Sequence, residues 1–162
     1  MTDPTKNTNN KTTEWLIFIL CIVITAGITL LYIEIHRHNM IAQSRFSYTL
    51  NKDFENNAVD TAMATDIEEG KHILDIHGGR WNERQFDNYL SFFELMEDYI
   101  EAGSLNTRDV FDNYSDDILG AYNHPEIKKY IQGLRTTNKD SSYYEKFEKL
   151  AKNFTVANAI KK

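Results

Sequence analysis

The chain has little with which to break a helix or staple a fold. Its 162 residues hold one cysteine, two prolines and seven glycines. A single cysteine excludes an intramolecular disulfide framework, and scarce proline and glycine argue against a turn-rich β architecture. No stretch alternates apolar and polar residues with period two, so strands are not expected. Several chemistries lack their motifs. There is no G-x-S-x-G elbow, no phosphate-binding glycine loop, no pair of Glu-x-x-His repeats for a di-iron bundle and no Ca²⁺-loop spacing. His72, Asp75 and His77 invite a metal reading, but on a helix a spacing of five parts the two imidazoles. His77-Gly78-Gly79 has the look of an oxyanion loop, yet without a nucleophile elbow it is a turn. No metal, no cofactor and no enzymatic activity are expected. The basic residues are few, gathered at one end and without a reader motif, which disfavours nucleic acid.

Charge is also absent from Trp15 to Ile33, nineteen residues in a row. At 1.5 Å per residue a helix of that length covers roughly 28 Å, close to the hydrocarbon thickness of a bilayer. Trp15 and Tyr32 sit near its ends, where amphipathic rings anchor at the headgroups. The run is longer than the apolar core of a signal peptide and no small-x-small site follows, so an uncleaved, single-pass anchor is expected. Cys21, Thr25 and Thr29 recur every four residues as a stripe of small side chains, a candidate face for helix packing in lipid. Lys6 and Lys11 precede the span, and Arg37, Arg45 and Lys52 follow it. Three against two favours an inner-membrane protein with its large C-terminal domain in the cytoplasm.

The expected order is a disordered N-terminus (1–14), a transmembrane helix (15–35), a juxtamembrane helix (36–57), a helical bundle (58–155) and a basic tail (156–162). The fold class is all-α. Asn56-Asn57 is a break, and a helix over 58–76 places Val59, Met63, Ile67, Ile73 and Leu74 on one side. In 83–102, Phe86, Tyr89, Phe93, Met96 and Ile100 share one arc. Glu83, Asp87, Glu94, Glu97, Asp98 and Glu101 fall opposite, on a solvated face where Glu94→Ala should cost under about 0.5 kcal/mol. Gly103 stops that helix. The next starts at Asn106 or Thr107 and turns Val110, Phe111, Tyr114, Ile118 and Tyr122 inward. Pro125 opens a short helix with Ile127, Tyr130, Ile131 and Leu134. Ser142-x-x-Glu145 is a capping-box pattern for a last one, with Phe147, Leu150, Ala151 and Phe154 inward.

Trp81, Phe86 through Tyr89-Leu90, Phe92-Phe93-Glu94, Gly103 and Val110-Phe111 resemble a bacterial family of small membrane-anchored proteins known only as a domain of unknown function. The resemblance spans about residues 40–154. It implies a helical domain behind one N-terminal span, and it transfers no site residues.

Residues 53–117 hold 17 acids and 4 bases, whereas 124–162 hold 4 acids and 9 bases. Two readings are open: solvated faces whose opposite halves attract across the bundle, or an acidic surface offered to a basic partner. The function expected is a non-enzymatic interaction module on the bilayer, binding a protein partner or itself. The alternative is a membrane-acting effector, of a toxin, holin-like or phage-defence kind.

Overall fold

The structure is a computed structural model that describes the backbone of residues 5–160 and the side chains of residues 14–159. Six α-helices follow one another: α1 Thr5–Asn56, α2 Ala58–Glu68, α3 Glu83–Glu101, α4 Thr107–Asn123, α5 Pro125–Asn138 and α6 Glu145–Ile160. The described residues hold no strand, only an isolated bridge between Leu74 and Trp81 and a 3₁₀ turn at Asp75–His77. The fold is all-α. It divides into two compact units, residues 1–41 and 42–162.

In the first unit, α1 carries the charge-free run with its side chains exposed, and it is long and apolar enough to cross a membrane. The terminal segment expected to be disordered is helical from Thr5, while residues 1–4 lie outside the described residues. Once a helix is nucleated, each added residue brings its own hydrogen bond, so a polar extension needs no apolar face to follow it.

The second unit is built around α3. Phe86, Tyr89, Leu90, Phe93 and Met96 are fully buried. Around them close Val110, Tyr114 and Ile118 of α4 and Phe147, Leu150 and Phe154 of α6, all buried. The last turns of α1 belong to this unit. Phe54 lies 5.1 Å from the Phe92 ring and edge-on to Tyr114 at 5.6 Å, while Phe46 meets Tyr99 at 4.8 Å. Aromatic rings thus supply much of the buried apolar area.

One boundary agrees with expectation and three differ. Asn57 is the break, and its side chain caps α2 by accepting from the Val59 N–H. That helix stops at Glu68 rather than residue 76, because Gly70 turns left-handed at φ 64°. Ile73 and Leu74 are buried as expected, but from the connecting segment. The Ser142 capping box does not form. Ser142 bonds instead to Asp140 through both its N–H and its hydroxyl, and α6 starts at Glu145 after Tyr144 at φ 58°. The expected basic tail is helical to Ile160, with Lys161 and Lys162 outside the described residues.

Candidate functional site

The segment between α2 and α3 holds only a 3₁₀ turn and one isolated bridge, yet it is held at every turn. Asp66, 4% exposed, accepts from Trp81 Nε1 at 2.9 Å, Arg80 Nε at 2.7 Å and Lys71 Nζ at 3.4 Å. Burial pushes the Asp66 carboxyl up, but the bonds from Trp81, Lys71 and Arg80 outweigh it and hold it below its ordinary value. The chain folds back so that Trp81 N–H donates to Ile73 O and Asp75 N–H to Trp81 O.

This return leaves the Ile73 and Leu74 N–H groups facing α5. Glu126, in the first turn of α5, accepts both, at 2.8 and 3.2 Å. The same carboxylate lies 2.7 Å from His77 Nδ1 and 3.7 Å from His72 Nδ1. Burial works against its charge, but the Ile73 N–H, His77 and the Leu74 N–H prevail, so its pKa sits below the usual range. His124 precedes Pro125 at the N-cap of α5, is 8% exposed, and has no partner at Nδ1. These groups, with Gly70, Lys71, Pro125 and Lys129, line an open cavity of about 470 Å³.

Sequence reasoning discounted His72 and His77 because it placed them on a helix. The helix ends before them, and the connecting segment with its 3₁₀ turn brings both to one carboxylate some fifty residues away. Gly70 was the local signal of an earlier stop; nothing local pointed to Glu126. Among the described residues no three His, Cys, Asp or Glu side chains are grouped to hold a metal ion.

The acidic residues of α3 do not form one solvated face. Glu83 and Glu101 are exposed, but Glu97 is 3% exposed, with Lys149 Nζ at 2.9 Å. Lys149 also reaches Glu101, and Lys146 reaches Asp98. Glu94 lies over the first backbone N–H groups of α6, those of Lys146 and Phe147. Asp87 accepts the Tyr130 and Tyr144 hydroxyls at 2.7 and 2.6 Å. Much of the stripe is therefore the seat of α6, whose lysines come from the basic end of the chain. The physical reason is packing: α6 needs its apolar face on α3, and its flanking lysines then land beside the carboxylates.

In the first unit, Trp15 and Tyr32 are exposed at 66% and 69%. Cys21, Thr25 and Thr29 share a shallow groove with Ala26, and each threonine hydroxyl donates to the carbonyl four residues back at 2.8 Å.

These observations define a helical domain whose N-terminal helix carries an apolar, span-length segment. The DUF4760 model, a domain of unknown function, matches residues 19–154, and the chain belongs to that family. No curated protein and no solved structure matches the chain. The family match begins inside the apolar run, so the family's domain includes most of that segment together with the bundle.

Proposed function

We propose that this chain is a single-pass protein of the inner membrane whose helical domain, on the cytoplasmic side, acts by binding a protein partner or a second copy of itself, without catalysis. The observation that carries the reading is α1 itself. One helix holds the charge-free exposed run and then, in its last turns, the core residues Phe46, Leu50 and Phe54. An apolar helix of that length with no protein covering it is stable in lipid, where all its backbone groups are paired within the helix. The family match across the run favours a retained anchor over a leader that is removed. Binding is favoured over catalysis because four of the carboxylates the fold draws inward are already engaged within the chain. Asp66, Asp87, Glu97 and Glu126 each hold another element in place.

For self-association the groove at Cys21, Thr25 and Thr29 is the favoured face, since small side chains let helices approach closely in lipid. Its threonines bond to their own helix, so close packing rather than hydrogen bonding across the pair would drive it. The same bonds occupy the hydroxyl protons of Thr25 and Thr29, and the membrane-acting effector has no observation of its own.

Crosslinking in the native membrane, followed by gentle solubilisation, is the test. A stoichiometric partner or a homomer is expected, and a lone monomer overturns the reading. Thr25→Leu with Thr29→Leu should lower any homomer signal by filling the groove. An unchanged signal would assign self-association to the bundle.

A further inference from the structure

We propose that the cavity at the start of α5 binds a small organic phosphate monoester. Four observations meet there. Lys129, which lines the cavity, is exposed and has no ion-pair partner among the described residues, whereas neighbouring Lys71 is held by Glu69 and Asp66. His72 and His77 stand at the rim with side chains 74% and 36% exposed. His124 lines the same wall, and its Nδ1 is buried behind it without a partner, a cost that a small shift of the ring toward a ligand would relieve. No side chain caps the 14-residue helix α5, so the N–H groups of Glu126 and Ile127 (Pro125 has none) are left at the positive end of its dipole beside the cavity.

The carboxylate within this set keeps its charge, which Lys129 and the imidazoles offset. Glu126 is 9% exposed and its oxygens already take two backbone N–H groups and His77. A phosphate monoester suits the remaining donors better than a carboxylate does. Its three terminal oxygens can accept from an ammonium, imidazoles and backbone N–H groups together. The volume of about 470 Å³ is in the range of small-molecule sites and leaves room for the organic part. Such a group could arrive as a soluble metabolite or as a phosphomonoester lipid headgroup.

The chain holds five histidines, and His36 and His38 in α1 lie outside the cavity, so imidazole NMR carries an internal control. Full-length protein in phosphatidylcholine nanodiscs, free of inorganic phosphate, is titrated with glycerol 3-phosphate. The expected result is a saturable shift of the His72, His77 and His124 signals with His36 and His38 unmoved. Lys129→Gln should weaken the apparent affinity about tenfold, as should His72→Asn to a smaller degree, with circular dichroism unchanged. Discs containing phosphatidic acid separate the sources. Shifts of the same three signals before any titrant is added identify the headgroup, and shifts only on titration identify a soluble ligand. No saturable shift in either arm, an equal response to glycerol, or full affinity in Lys129→Gln overturns the proposal.

Discussion

Phe93 and Glu94 are consecutive in α3 and meet different neighbours. The Phe93 ring is fully buried, 5.0 Å from Tyr89 and 6.2 Å from Phe147, so Phe93→Ala should cost about 3–5 kcal/mol. Glu94 sits at the start of α6, where burial raises its pKa and the nearby Lys146 and Phe147 N–H groups favour its charge. Glu94→Ala should therefore cost about 1 kcal/mol, more than a solvated residue would. Urea unfolding of both variants, followed by circular dichroism, checks the pair; a Glu94→Ala midpoint equal to wild type would mean α6 is capped elsewhere. Asp117 offers a test by pH. Burial, then Asp116 and Glu68, raise its pKa from 3.8 to about 6. A carboxyl with a raised folded pKa contributes stability that is complete below its unfolded value and lost as pH rises through about 6. Asp117→Asn should thus gain about 1 kcal/mol over wild type near pH 7.5, a figure reduced for solvent screening. The gain should vanish near pH 4. A gain that grows on acidification would reverse the sign and remove the assignment.

Among the helices, α3 was the most legible, because a 3.6-residue apolar period is flanked by signals on both sides. Asn82 and Gln85 form its capping box and Gly103, at φ 69°, ends it. The segment after α2 was not legible, since Ile73 and Leu74 happen to extend the helical period of Met63 and Ile67. Gly70 is the one local sign that those residues leave the helix, and the long-range partners Trp81 and Glu126 fix where they go. Likewise Ser142 fits a capping box locally, but Asp140 two residues before it takes the hydroxyl. The turn at Gly78-Gly79 was expected, and the structure adds unequal demands on its two glycines. Gly78 is left-handed at φ 90° with open space around it, so Gly78→Ala should cost about 1 kcal/mol. At Gly79 a Cβ would sit 2.3 Å from the Ile73 carbonyl oxygen, backbone that cannot swing aside. Gly79→Ala should cost about 2–3 kcal/mol and loosen the Trp81 ring. Thermal melts with tryptophan fluorescence rank the two variants; equal losses would mean the strand-like contact at 73–81 yields easily.

Over the whole molecule, composition spoke for helices and an apolar run, while the cavity depended on contacts between residues 72–77 and 124–129 that no local pattern encodes. The charge asymmetry lay in between. Acidic and basic halves were visible in the sequence, but which lysine meets which carboxylate follows from how α6 packs on α3. For the proposed single-pass anchor, orientation is the property that composition addresses and folding leaves open. Two basic residues precede the apolar run and Arg37, Arg45 and Lys52 follow it, the excess on which we propose a cytoplasmic side for the following domain. The chain suits a thiol test, because its single cysteine, Cys21, lies inside the apolar run. Ser141 is exposed between α5 and α6, so Ser141→Cys adds an accessible thiol without disturbing the core. A membrane-impermeant maleimide should leave intact cells carrying Ser141→Cys unlabelled and label them after lysis. Wild type, with only Cys21, sets the background in both conditions. Labelling of Ser141→Cys before lysis would put residues 42–162 on the outer side and make Lys6 and Lys11 the retained end.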